Sequence, residues 1–238
     1  MAQKVIIVGG VAGGATAAAR LRRLDEDAEI IVFERGPYIS FANCGLPYYI
    51  GRTIKKREDL LLLTPELFHK RFRIDVRINQ EVLRIDRSNK QVEIRNQHDG
   101  KQYTETYDRL ILSPGAEPFR PPVDGIQSKR IFTLRSVPDM DAIESFIVQN
   151  KPSRAVIVGA GYIGLEMAEN LRDRGLLATV VELAPSVLPA ALDPEMAWYV
   201  QSHLEEKGVA LWLDDAVSAF EDIGVGLIVK LKSGTTLR

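Results

Sequence analysis

Val5-Ile6-Ile7-Val8-Gly9-Gly10-Val11-Ala12-Gly13-Gly14-Ala15-Thr16 is the stretch that decides how this chain folds. Four β-branched apolar residues in succession, ending on glycine, read as a strand buried on both faces of a parallel sheet. Ala15 to Leu24 is rich in strong helix formers and carries the turn on as a helix. Ala28 to Glu34 is a second apolar run, and it closes on an acid. Strand, glycine-rich turn, helix, strand and terminal acid form the fingerprint of a dinucleotide-binding fold. The glycines let the backbone approach a pyrophosphate resting on the N–H groups of the helix start. Glu34 would then accept from ribose hydroxyls. Val11 stands where the middle glycine of G-x-G-x-x-G is expected, leaving Gly10 and Gly13 to compensate.

The same arrangement returns in the second half of the chain. Arg154 to Val158 reads as a strand, and Gly159-Ala160-Gly161-Tyr162-Ile163-Gly164 matches G-x-G-x-x-G in full. A helix is expected from Leu165 to Arg174, ended by Gly175, and Ala178 to Glu182 is the next strand with its terminal acid. Two fingerprints in the correct context leave little room for ordinary turn glycines. A carboxylate at Glu182 suits free ribose hydroxyls and repels a 2′-phosphate, and no arginine follows closely. NADH is therefore expected rather than NADPH.

Composition narrows the remaining classes. The 238 residues carry a formal net charge of −1, with 45% hydrophobic and 26% charged residues, an ordinary globular balance. No global basic field recruits nucleic acid or a membrane surface. No apolar run approaches the roughly 18 residues of a membrane span. A single cysteine excludes an internal disulfide framework and fits a reducing compartment. The chain enters its first strand almost at once, without a signal peptide, so a cytoplasmic location is expected.

Between the fingerprints, Glu58 to Phe72 reads as an amphipathic helix, with Thr64-Pro65-Glu66 as a helix start. Asp75 to Ile78 and Glu81 to Asp86 alternate as strands do. Gln91 to Arg95 and Lys101 to Tyr107 flank a hairpin turn at Asn96 to Gly100. Tyr107 to Ala116 is a strand running into a tight turn, and the proline-rich Pro118 to Gly125 suggests a domain crossing. Residues 1–120 are expected to form the first domain, 121–150 the crossing and 151–238 the second. The end, from Gly226, reads as the second strand of a hairpin broken off, so the fold is expected to be truncated at the C-terminus.

The lone cysteine lies in Ser40-Phe41-Ala42-Asn43-Cys44-Gly45-Leu46-Pro47-Tyr48-Tyr49-Ile50-Gly51. An unpaired cysteine is commonly a small buried hydrophobe. It can also be a nucleophile, and Gly45 to Ile50 reads as a helix start in which Pro47 is tolerated. Arg20 and Arg23 share a helix face by spacing, as a solvated face or as an anion site.

With these motifs the chain resembles the flavin- and pyridine-nucleotide-dependent disulfide reductases over its whole length. The resemblance rests on Gly9 to Gly14 with Glu34, Ser113-Pro114-Gly115-Ala116, Gly159 to Gly164 with Glu182, and the S-F-x-x-C signature Ser40 to Cys44. That signature is similar to the single-cysteine branch, which includes coenzyme A disulfide reductases, NADH-dependent persulfide reductases, NADH oxidases and NADH peroxidases. The implied fold is α/β, two Rossmann-like, glutathione-reductase-like dinucleotide-binding domains, with FAD in the first and NAD(P)H in the second. By this resemblance Gly9, Gly10, Ala12, Gly13, Gly14, Glu34, Arg35, Asn43, Val82, Ser113, Gly115, Ala116 and Arg135 would contact FAD. Gly159, Gly161, Tyr162, Ile163, Gly164 and Glu182 would contact NADH, with Tyr162 swinging aside to admit the nicotinamide. Glu166 either points toward the flavin or is a surface carboxylate.

Ala12 stands where oxidases and peroxidases carry a histidine, and His69, His98 and His203 lie outside every motif. The coenzyme A disulfide and persulfide reductases are the better match. Thr16, Arg20, Arg23, Ser40 and Asn43 would then hold coenzyme A, whose phosphates suit guanidinium groups. Cys44 would be the catalytic residue, exchanging sulfur with coenzyme A disulfide or a persulfide. A full-length relative of this kind implies a homodimer. Two alternatives stand beside this: an oxidase or peroxidase using a Cys44 sulfenic acid, and a truncated, non-catalytic nucleotide-binding remnant.

Overall fold

The computed structural model describes residues 2–238. From the N-terminus the chain runs β1 (Lys4–Val8), α1 (Ala12–Leu24) and β2 (Glu29–Phe33), then a 3-10 turn at Asn43–Gly45 and the short α2 (Leu46–Ile50). Next come α3 (Pro65–Phe72), β3 (Asp75–Arg77), β4 (Gln80–Asp86), β5 (Gln91–Asn96), β6 (Gln102–Thr106) and β7 (Arg109–Leu112). The later part holds α4 (Val137–Asn150), β8 (Arg154–Val158), α5 (Tyr162–Asp173), β9 (Leu177–Val181), α6 (Pro194–Glu206) and β10 (Ala210–Trp212). It ends on β11 (Val217–Asp222), β12 (Leu227–Leu231) and β13 (Thr236–Leu237). Two units result: Met1–Ala42 with Glu58–Glu117, and Asn43–Arg57 with Pro118–Arg238. Among the described residues no helix is long and apolar enough to cross a membrane.

The first unit is built on a parallel sheet of order β3-β2-β1-β7. Val5 and Ile7 of β1 stand opposite Ile30 and Val32 of β2, and these four pack with Ala15 and Ala18 of α1 and Phe68 of α3. The alternate residues Ile6, Ile31 and Phe33 turn the other way, onto Val92 and Ile94 in an antiparallel sheet of order β4-β5-β6. Both faces are dry, which is why the run shows no polar alternation.

The second unit repeats the plan. A parallel sheet of order β10-β9-β8 buries Ala178 and Val180 against Ala168 of α5 and Ala197 of α6. Its other face turns Val181 onto Val217, Val229 and Leu231 of the antiparallel sheet β11-β12-β13. β8 is an edge strand among the described residues, whereas its counterpart β1 has β7 alongside; Val158 is accordingly 53% exposed.

The single helix expected over Glu58 to Phe72 is broken. Arg57–Leu60 is a 3-10 turn, Leu61 bridges Phe41 antiparallel, and the Leu62 N–H donates to the Ser40 carbonyl at 3.1 Å. The helix starts only at Pro65, where the Thr64 hydroxyl accepts from the Leu67 N–H. Backbone pairing with Ser40–Ala42 outweighed the apolar periodicity, which measures side chains and not partners for the backbone.

Candidate functional site

Each glycine turn is locked by the acid at the end of the following strand. Glu34, 9% exposed, accepts from the Gly10 and Gly36 N–H groups, both at 2.8 Å. Glu182 accepts from the Ala160 N–H at 2.7 Å and the Ala184 N–H at 2.9 Å. A carboxylate offers about four acceptor positions, so two remain on each for hydroxyl donors. The expected ribose acceptors thus also brace their own turns, a role the spacing alone did not reveal.

Capping separates α1 and α5 from α3, α4 and α6; the short α2, after Gly45, is uncapped as well. Thr64, Ser136 and Asp193 side chains accept the orphan N–H groups of α3, α4 and α6. Val11 before α1 and Gly161 before α5 provide no such bond. The first-turn N–H groups of α1 and α5 are left for an acceptor from outside the helix, as a pyrophosphate would be. A Cβ on Gly161 would meet nothing within 4 Å, so the space over that helix start is open. Both turns fit a dinucleotide.

The first turn gathers several of the expected residues. Gly9 takes φ +94°, and a Cβ there would lie 2.0 Å from the Ser113 carbonyl oxygen, so only glycine passes. The Ser113 hydroxyl would be 3.1 Å from a Cβ on Gly13, which sets the end of β7 directly beneath the turn. Gly115 and Ala116 continue from it, both exposed. Ser40, at φ +45°, donates its N–H to the Gly10 carbonyl at 2.9 Å. Ala12 is exposed at the start of α1, and Arg35 is ion-paired with Glu117. Val82 packs against the Ile6 and Phe33 face of the core, beside an irregularity in β4. In the second unit Tyr162 and Ile163 open α5 with 67% and 58% of their surface exposed. Arg135 precedes α4 and donates its N–H to Asp139.

The α1 arginines divide into two kinds. Thr16, Arg20 and Arg23 lie on the exposed side of the helix, at spacings that align them. Arg22 is 8% exposed and donates to four carbonyls: Phe72 at 2.8 Å, Asp25 at 3.2 Å, Glu26 at 2.7 Å and Arg73 at 3.0 Å. It ties the end of α1 to the end of α3. Arg22→Met should therefore cost about 2–3 kcal/mol of stability in urea unfolding. Arg20→Met with Arg23→Met, both on the exposed side, should leave the unfolding midpoint unchanged.

Cys44 is exposed, in the 3-10 turn Asn43–Gly45 beside an exposed Asn43. This segment belongs to the second unit, whereas Ser40, Thr16, Arg20 and Arg23 belong to the first. Leu46, Pro47 and Ile50 bury one side of α2, which packs on α4 and α5. Burial, and then the negative charges of Glu166, Glu169 and Cys44, hold the Tyr48 phenol above its ordinary range. Tyr48 went unnoticed in the sequence, where it reads as one aromatic among apolar neighbours.

The model of the pyridine nucleotide-disulphide oxidoreductase family matches residues 3–238. The coenzyme A disulfide reductase of Staphylococcus haemolyticus is 40% identical over 232 residues, 98% of this chain and 51% of that protein. Among solved structures, reduced CoADR-RHD of Bacillus anthracis superposes with a TM-score of 0.96 at 50% identity, covering 100% of this chain and 42% of that one. The NAD-dependent persulfide reductase of A. fulgidus gives 0.92 at 37% identity, covering 98% and 43%. The chain spans about half the length of the curated relatives it matches.

Proposed function

The chain belongs to the pyridine nucleotide-disulphide oxidoreductase family, and on that premise we propose that it is an NADH-dependent flavoprotein that reduces coenzyme A disulfide at Cys44. One observation carries the reading: the acid-locked, uncapped glycine turn occurs twice, once in each unit, and the chain's one cysteine is exposed on a segment between them in sequence. Gly9, Gly10, Ala12, Gly13 and Gly14 with Glu34 would hold FAD, supported from beneath by Ser113. Gly159, Gly161 and Gly164 with Glu182 would hold the pyridine nucleotide. The Glu182 carboxylate stands against a 2′-phosphate, which favours NADH over NADPH. FAD, when bound, supplies two-electron exchange between a nicotinamide and sulfur.

The chain's own chemistry is thiol exchange. The Cys44 thiolate attacks one sulfur of coenzyme A disulfide, expels one coenzyme A thiolate and becomes the mixed disulfide. Two electrons reaching that bond release the second thiolate and restore Cys44. The sum is NADH, one proton and one disulfide converted to NAD⁺ and two thiols. Thr16, Arg20 and Arg23 would take the coenzyme A phosphates, with Ser40 and Asn43 flanking the reacting sulfur in sequence. A persulfide would serve the same cysteine, a reading favoured by the A. fulgidus relative. Full-length relatives would act as homodimers.

The absorbance spectrum of the protein purified with FAD tests this. A flavin band that NADH bleaches without oxygen is expected. A protein that takes up no flavin would overturn the reading for this chain and favour a nucleotide-binding remnant.

A further inference from the structure

The segment that carries Cys44 is gripped by the second unit through contacts that neither glycine turn contains. Just past α2 the chain comes so close to α5 that a Cβ on Gly51 would lie 1.9 Å from Asn170 Oδ1. Asn170 is 1% exposed, and its Nδ2 donates to the Glu166 carbonyl at 2.8 Å, which fixes the amide. Arg174, at the C-terminal end of α5, donates from Nη1 to the Ile50 carbonyl at 2.6 Å and to Glu144 Oε2 at 2.6 Å. Ile50 ends α2, so this guanidinium satisfies a carbonyl that helix geometry leaves without a partner.

The pair is not an ordinary surface contact. The Arg174 and Glu144 side chains are each 13% exposed, so water screens them little. The other Glu144 oxygen accepts from Arg52, and Arg57 makes a two-point pair with Asp141 at 2.8 Å and 2.7 Å. Glu144 and Asp141 both stand on α4, so α4 and α5 together hold the stretch from Ile50 to Arg57. α5 opens at the second glycine turn and closes at Arg174, a span of about 18 Å at 1.5 Å per residue.

We propose that Arg174 is a positioning residue for Cys44: it fixes the C-terminal end of α2 from the far end of the helix that opens at the second glycine turn. Arg174 touches no reacting atom and acts through α2, at whose other end the thiol lies. The role in turnover rests on Cys44 being the reacting thiol, as proposed above; the clamp lies wholly inside the second unit. Loosening it should harm chemistry at sulfur and spare electron delivery from NADH to the flavin.

The test compares Arg174→Gln with Arg174→Lys in the full chain. Arg174→Gln should raise amide hydrogen exchange over residues 46–54 about tenfold or more, with Arg174→Lys returning most of the protection and α3 unaffected in both. Alkylation of Cys44 by iodoacetamide should change by roughly threefold or more in Arg174→Gln and revert in Arg174→Lys. In FAD-loaded protein, reduction of coenzyme A disulfide by NADH should fall about tenfold or more, while reduction of ferricyanide, which needs no thiol, stays within about twofold. Unchanged exchange and alkylation, equal loss with both acceptors, or no recovery with lysine would each overturn the proposal. If the unsubstituted protein takes up flavin yet leaves coenzyme A disulfide untouched, the proposed function fails, and exchange and alkylation still decide the clamp.

Discussion

Replacing Cys44 with serine should abolish the reduction of coenzyme A disulfide while NADH still bleaches the flavin band. The chain has one cysteine, so no second thiol can take over the exchange. A serine hydroxyl stays protonated at neutral pH and cannot exchange with a disulfide, and thiolate attack is the step that would start the proposed cycle. Cys44 is exposed, so the substitution removes one sulfur without opening a cavity, and the fold should be unaffected. Anaerobic NADH titration beside a coenzyme A disulfide assay measures both halves. Loss of flavin bleaching together with disulfide reduction would contradict the division of labour between the glycine turns and the thiol.

The largest effects on folding are expected at Gly14 and Gly164, which occupy matching places in the two units. A Cβ on Gly14 would lie 1.7 Å from the Gly9 carbonyl oxygen, and one on Gly164 would lie 2.0 Å from the Gly159 carbonyl oxygen. The obstacle is backbone in both cases, so the helix must lift off its strand. Alanine's advantage over glycine inside a helix is only about 1 kcal/mol and cannot offset that. Each Gly→Ala substitution should cost about 3 kcal/mol or more, a fall of roughly 6–12 °C in Tm for a chain of this size. Hydrogen exchange should then separate the units, with Gly14→Ala exposing β1 and β2 and Gly164→Ala exposing β8 and β9. A shift below about 1 °C for either would show that the turn yields without cost.

Much of this architecture was legible because it depends on short-range features. Val5 to Val8 and Ala178 to Val181 announce strands buried on both faces, and the glycine spacing with Glu34 and Glu182 marks the turns. The segment Glu58 to Phe72 misled because its periodicity describes which residues are apolar, whereas Leu61 and Leu62 are committed to backbone pairing with Ser40 and Phe41. Val82 reads in sequence only as one apolar position of an alternating strand, and it is partly buried, packed against the core that holds Ile6 and Phe33. The grip on the Cys44 segment was out of reach for a different reason. Arg174 meets the Ile50 carbonyl across 124 positions and Glu144 across 30, and a lone arginine at a helix end reads as solvated charge. Likewise, nothing in the sequence tells that Asn43–Arg57 packs with the second unit while Ser40 stays beside the first turn.

Intact mass spectrometry of the protein, after coenzyme A disulfide is added and then NADH, reports most directly on whether Cys44 carries the exchange. In the FAD-loaded protein a single adduct with the mass of coenzyme A should appear on Cys44 and disappear when NADH is added. A Cys44 that stays unmodified, or that carries only sulfenic acid, would contradict a disulfide reductase and point instead to oxygen or peroxide as the acceptor.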